Sequence, residues 1–295
     1  MTTDRPALLL SIDYEDWHQL VRRRVGVAGW EAAGPALGRQ TEALLSLLDE
    51  LGARATFFVL GMAARAHPGL LAPIVEAGHE IACHGDAHRL VHSQTRDEFA
   101  ADLRAARATI EDLTGQTPAG YRAPAFSITR ASDWAYEVLA GEGFLYDASQ
   151  HDSPIAGDHP EPVTATTAPH RLESGLWEFP VAVWHTSRAK IPVGGASYWQ
   201  VLPRPLVLTG LKRAGSMAGL YLHPYELDPQ PLKVMLPPGA TPSQRTHARL
   251  RQAQRNGARR RAPGMLRAIA RHFELLPYGE AYARLGGENP GTFKP

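Results

Sequence analysis

Residues 7–17 read Ala7-Leu-Leu-Leu-Ser-Ile-Asp-Tyr-Glu-Asp-Trp17. A short apolar run that meets acidic residues at once reads as a buried strand delivering carboxylates at its C-terminal end. The pattern then alternates. Leu37, Leu44, Leu45, Leu48 and Leu51 follow helical spacing, and Gly52 suits the helix stop. Residues 55–60 read as a second strand, 68–77 as a short helix stopped by Gly78, and 80–82 as a third strand. Thr95 and Glu98 form a capping-box pair that opens a long helix to about Leu113. Residues 120–122, 144–146, 177–183 and 219–223 are further strands. Alternation of this kind predicts an α/β protein with a parallel sheet or barrel. Barrel chemistry gathers at the C-terminal ends of strands. Asp13, His84, Arg122 and His223 all fall at such ends, which predicts one shared site.

The bulk numbers narrow the class. A chain of 295 residues with 44% hydrophobic content can bury a full core. A net charge of +1 gives no global field toward nucleic acid or membrane. Cys83 is the one cysteine, so no intrachain disulfide forms, which suits a reducing compartment. The first apolar run is too short for a signal-peptide core. No apolar stretch approaches the ~20 residues of a membrane span. The expectation is a soluble, cytoplasmic protein with at most peripheral membrane contact and no nucleic-acid partner. Composition leaves the oligomeric state open.

One domain over 1–295 is expected, with a basic helical extension at about 241–285. Residues 149–175, rich in Pro, His, Asp and Thr, read as a long loop, and such loops are often functional. Residues 229–242 are a second breaker-rich stretch. After them come a basic helical segment at 244–273, a short strand and a final helix at 279–285. Arg245, Arg249, Arg251, Arg255, Arg259, Arg260, Arg261, Arg267 and Arg271 crowd this tail. They fit a solvated helix face or, around 259–261, an anion site.

The sharpest chemical signal is His84-Gly-Asp-Ala-His88. Two histidines at i and i+4 share one side of a helical turn and can share one metal. The bland reading is a polar loop facing water. With the carboxylates Asp13, Glu15 and Asp16, they make a two-histidine, one-carboxylate site. Arg122, fixed by Ala123-Pro124, is placed to hold a carboxylate. His223 stands at another strand end, where a lone histidine is more often a satisfied polar residue than a catalyst.

Taken in order, these segments resemble the NodB-homology polysaccharide deacetylases, carbohydrate esterase family 4. Ser11-Ile-Asp13-Tyr-Glu-Asp16 is similar to the first family motif. The stretch from Gly78 to His88 is similar to the second, and Arg122-Ala-Pro124 to the third. Tyr146-Asp147 is a reduced form of the fourth, and Leu222-His223 is similar to the fifth. Pro192-Val-Gly-Gly-Ala-Ser-Tyr-Trp199 and His223-Pro-Tyr-Glu226-Leu-Asp228-Pro resemble a subgroup found with bacterial exopolysaccharide and exosortase gene clusters. Tyr14 stands where the common first motif has a second aspartate, and Gln200 where that subgroup tends to carry arginine.

The resemblance implies a distorted (β/α) barrel with fewer than eight strands. It implies hydrolysis of the acetamide of an N-acetylated glycan, free or linked to a carrier lipid, with one divalent metal. Zinc is the expected metal, and cobalt or nickel the alternatives. Asp13 is the implied base, His223 the acid and Arg122 the residue that orients Asp13. Asp147 is expected to tune His223. The implied metal ligands are His84, His88 and a carboxylate, Asp16 or Glu15. Asp16 is favoured, because strand alternation puts Glu15 on the same side as Asp13. A backbone N–H near Ala125 or Phe126 is implied to meet the developing oxyanion. Tyr198, Trp199 and Trp184 are candidates for sugar stacking or for core. Rival readings are an amide hydrolase for a small metabolite, a non-catalytic glycan binder of the same fold, and a non-haem iron oxygenase.

Overall fold

The computed structural model describes residues 5–153, 166–257 and 259–286. Strand β1 (Ala7–Tyr14) is buried at every position, as its largely apolar sequence suits, and Ser11 and Asp13 are buried with it. The other strands are β2 (Thr56–Val59), β3 (Glu80–Cys83), β4 (Gly120–Tyr121), β5 (Tyr146–Asp147), β6 (His170–Arg171), β7 (Trp177–Glu178), β8 (Val183–His185), β9 (Lys190–Pro192), β10 (Ala218–Leu222) and β11 (Glu274–Leu276).

The main sheet runs β10–β1–β2–β3–β4–β5–β7–β6. Its pairs are parallel, apart from β6 with β7. β11 pairs with β1 along Ala7–Leu9, and β2 pairs with it along Ser11–Tyr14. The sheet curls, and Val181, just past β7, forms a single bridge with Gly219 of β10. The result is a curled, open half-barrel, the distorted α/β barrel expected. β8 and β9 form a separate antiparallel hairpin.

The helices are α1 (Trp17–Arg24), α2 (Leu37–Glu50), α3 (Gly61–Ala66), α4 (Leu71–Glu76), α5 (Arg96–Thr114), α6 (Ala135–Gly141), α7 (Ala196–Trp199), α8 (Arg204–Ala214), α9 (Pro242–Asn256), α10 (Ala262–His272) and α11 (Tyr278–Arg284). α2 buries Leu37, Leu44, Leu47 and Leu48 against the sheet. α5 opens with the expected reciprocal box: Thr95 accepts from the Glu98 N–H, and Glu98 accepts from that of Thr95. It closes at Gly115, whose φ of 68° is left-handed.

Several expected elements differ. The strand at 177–183 breaks around Pro180, which has no N–H for a ladder. The helix at 68–77 starts as a 3-10 turn, Pro68–Leu70, before α4. The basic helix at 244–273 is two helices, α9 and α10, joined through the turn Arg259–Arg261. Residues 149–153 are buried against the sheet, and 154–165 of the expected long loop lie outside the described residues. No helix among the described residues is long and apolar enough to cross a membrane.

Candidate metal centre

Alternation along β1 sets the site. Tyr14 turns outward, where its hydroxyl pairs with Thr41 of α2 at 2.7 Å. Asp13 and Glu15 take the other side, and both are buried at the mouth of the curl. One ligand atom each from Glu15, His84 and His88 lies within 4.8 Å of the others. His88 Nε2 stands 3.3 Å from Glu15 Oε2. Two ligands at ~2.0–2.1 Å from one tetrahedral cation would be about 3.3 Å apart, so the spacing fits a zinc-type ion. His84 Nδ1 is 2.8 Å from the Arg122 carbonyl, which leaves Nε2 as its ligand atom and fixes its ring. Two imidazoles and a carboxylate are a donor set that zinc, cobalt and nickel accept.

The structure groups Glu15 with the two histidines, where the sequence reading favoured Asp16 over Glu15 as the metal carboxylate. Asp16 caps α1 by accepting from the His18 N–H at 2.9 Å. Its other oxygen accepts from the Gly34 N–H at 2.6 Å and lies 2.9 Å from His67 Nε2. Burial raises its pKa, but His18, His67 and Gly34 outweigh burial and hold it well below the usual carboxylate range. The alternation that puts Glu15 beside Asp13 is what places it with the histidines.

The histidine pair also sits differently from the expected helical turn. His84 directly follows β3, and His88 lies in a bend with a φ of 50°. Gly85, at φ 76°, starts the bend. A Cβ there would come within 2.9 Å of Asp102 Oδ2. Asp102, on α5, accepts from the N–H groups of Asp86 and Ala87 at 2.8 and 3.4 Å. This turn brings His88 back toward His84, and their ring centroids are 5.8 Å apart.

Arg122 meets Asp13 as expected. Its Nη1 donates to Asp13 Oδ1 at 2.7 Å and to Ser11 Oγ at 2.5 Å. Its Nε donates to the Ala148 carbonyl at 3.0 Å, and its Nη2 to the Tyr278 hydroxyl at 2.9 Å. Burial pushes the Asp13 carboxyl up, but Arg122, His84 and His223 outweigh it and hold it below its ordinary value. Glu15 is lowered in the same way, with burial opposed by His88 and His223.

His223 Nε2 is 3.8 Å from Glu15 Oε1. Its Nδ1 faces Glu226 Oε2 at 3.1 Å. Burial pushes its pKa down, but Glu226 and Glu15 outweigh burial and lift it to about 9. The carboxylate on His223 is therefore Glu226, where the sequence reading expected Asp147. Asp147 instead holds Ser149, accepting from its N–H and hydroxyl at 3.0 and 2.7 Å, and pairs with Glu178. The short turn after β10 returns residue 226 to residue 223, a signal visible as His followed three residues later by Glu. Glu226 also accepts from Ser197 at 2.8 Å and Gln200 at 3.3 Å.

Trp199 is fully buried, and its indole N–H donates to the Val193 carbonyl at 2.7 Å, so it belongs to the core. Tyr198 is half-buried and hydrogen-bonded to Tyr221, and Trp184 packs on the core edge. Arg259 is not free for an external anion. It is 2% exposed, and its guanidinium donates to the carbonyls of Tyr225, Asp228 and Gln230.

A curled α/β barrel with a histidine–carboxylate donor set at its strand ends defines the class. Residues 32–140 match the family model Polysaccharide deacetylase, and residues 153–275 match Domain of unknown function (DUF3473). The curled fold agrees with the first of these matches, and the second falls in the second half of the chain. A peptidoglycan deacetylase of Helicobacter pylori is 33% identical over 106 residues, 36% of this chain and 35% of that protein. The peptidoglycan deacetylase-like protein FGM2 of Gibberella zeae is 31% identical over 163 residues, 51% of this chain and 46% of that protein. The chain thus spans between a third and a half of the length of these curated relatives. A solved structure of a candidate polysaccharide deacetylase from Mycobacterium smegmatis superposes with a TM-score of 0.61 at 19% identity. It covers 100% of this chain and 95% of its own, and supports the fold alone.

Proposed function

We propose that the chain is a metal-dependent deacetylase that hydrolyses the acetamide of an N-acetylated sugar in a glycan. The observation that carries this reading is the Glu15, His84 and His88 cluster, flanked by Asp13 and His223. A divalent ion held there, zinc or alternatively cobalt or nickel, would polarise the acetyl carbonyl and acidify water.

The chain's own residues carry the proton transfers. Asp13, held by Arg122, accepts the proton of a water whose oxygen bonds to the acetyl carbon. His223, braced through Nδ1 by Glu226, gives its Nε2 proton to the amide nitrogen as the C–N bond breaks. Acetate and a free amine leave. The oxygen that gains charge is met by a backbone N–H. Phe126 already donates to the Ala123 carbonyl at 2.9 Å, so this falls to Ala125, held left-handed at φ 53°.

The substrate is read as an exopolysaccharide-type glycan, linked to a carrier lipid and processed in the cytoplasm. The residue 192–199 and 223–229 stretches support that subgroup. The chain is read as acting as one domain over 1–295, since β11 of the C-terminal extension joins β1. The strand–helix fold counts against an iron oxygenase of the double-sheet kind. Acetate release from N-acetylglucosamine oligomers and lipid-linked N-acetyl sugars, metal by metal, tests the proposal. Oxygen uptake with iron, in place of acetate release, would overturn it.

A further inference from the structure

The base is held by an arginine, and that arginine is itself held by a tyrosine from the C-terminal extension. Leu9 pairs with Leu276, while two residues further along β1 Ser11 pairs with Thr56. Pro277 therefore leaves β11 just below the level of Ser11, and the chain turns into the floor of the barrel. There the Tyr278 N–H donates to Thr56 Oγ1 at 2.7 Å, and the Gly279 N–H to Glu80 Oε2 at 2.8 Å. The Tyr278 ring is fully buried, edge-on to Phe58 and Phe179 and stacked with Tyr146.

The position of the hydroxyl is built into the sheet. Gly219 of β10 makes room for it, since a Cβ there would lie 2.4 Å from the hydroxyl oxygen. That oxygen accepts from Arg122 Nη2 at 2.9 Å and is hydrogen-bonded to Ser11. Ser11 accepts from Arg122 Nη1 and donates to the Leu220 carbonyl at 2.7 Å. All three guanidinium nitrogens are thus anchored, and one remaining bond reaches Asp13. Without the phenol, Nη2 becomes a buried donor with no acceptor, and the guanidinium plane is free to turn.

We propose that Tyr278 is a positioning residue for the hydrolysis, holding Arg122 and through it Asp13, so that the C-terminal extension completes the active site. This rests on the deacetylase reading above. Tyr278→Phe keeps the ring packing and touches none of Glu15, His84 or His88. Misplacing a reacting group by about 1 Å costs ~10²-fold. The variant should therefore bind one equivalent of zinc with wild-type affinity, keep KM within about twofold, and lose roughly 10–100-fold in kcat. Tyr146→Phe, which loses a buried 2.7 Å bond to Glu80 but does not touch Arg122, serves as the stability-matched control and should keep kcat. The second readout does not need turnover. In wild type the Arg122 Nη protons should give separate, slowly exchanging NMR signals, and in Tyr278→Phe they should average. Wild-type kcat, or Nη signals still separate in the variant, would overturn the proposal. If wild type releases no acetate with any metal, the deacetylase reading fails by itself, and the Nη signals still decide the role of Tyr278.

Discussion

At the scale of single residues, three carboxylates within four positions do different work. Asp13 faces Arg122, Glu15 faces the histidines, and Asp16 caps α1. Asp13→Asn should keep the metal and lose ~10²–10⁴-fold in turnover, since only the base is removed. Glu15→Gln should lose metal affinity. Asp16→Asn should retain the metal, and its cost should appear as a lower melting temperature. Metal stoichiometry and melting curves on the three variants check the assignment. An Asp16→Asn protein with no metal and a Glu15→Gln protein with full metal would reverse it. The sequence exposed the cluster, because acids at a strand end stand out against an apolar run. It did not separate the acids, because which oxygens are free depends on Gly34 and His67, distant in sequence from β1. Tyr278 was hidden for a related reason: its partner Arg122 lies 156 positions away, and nothing local marks a buried tyrosine as a partner.

At the scale of elements, periodic helices and the long apolar strand were legible, and short pieces were not. α2 and α5 carry enough turns for a 3.6-residue period, whereas β4 to β7 are two residues each. The His84–His88 spacing pointed to shared ligation, although the backbone between them is a bend shaped by Asp102 rather than a helical turn. Asp102→Ala would leave two N–H groups of that bend unpartnered. Because it supports a ligand without touching the ion, it should weaken metal binding by ~10–100-fold. Isothermal titration with zinc reads this, and unchanged affinity would show that the bend holds its shape without Asp102. In the tail, the arginine crowding was legible but the direction of each side chain was not. Arg259 closes the Tyr225–Gln230 turn from inside, so Arg259→Gln should cost about 2–4 kcal/mol in urea unfolding, as several buried acceptors lose a donor. Arg260→Gln, at an exposed position, should leave the urea midpoint where it is.

At the scale of the whole molecule, the first and last described strands pair with each other. β1 near the N-terminus pairs with β10 and β11, and α11 plugs the floor under Arg122. Acid sensitivity should follow from buried groups on this sheet. His79, packed on Phe57 with Nδ1 facing the Ala55 N–H, is lowered to about 4 by burial and by Arg54. The unfolded chain takes up this proton near pH 6.5, whereas the folded chain resists until about 4. Its contribution to stability is therefore complete above pH 6.5 and is lost as pH falls toward 4. Between those values, wild type should lose more melting temperature than His79→Gln, and parallel losses would contradict the assignment.

The central claim is that Glu15, His84 and His88 hold one divalent ion that serves deacetylation. The most direct measurement is acetate release from N-acetylglucosamine oligomers by chelator-stripped protein titrated with zinc or cobalt. Activity should rise from background and saturate at one ion per chain, while His84→Ala stays flat throughout. Acetate release that survives stripping, or that no divalent metal restores at any stoichiometry, would contradict the account.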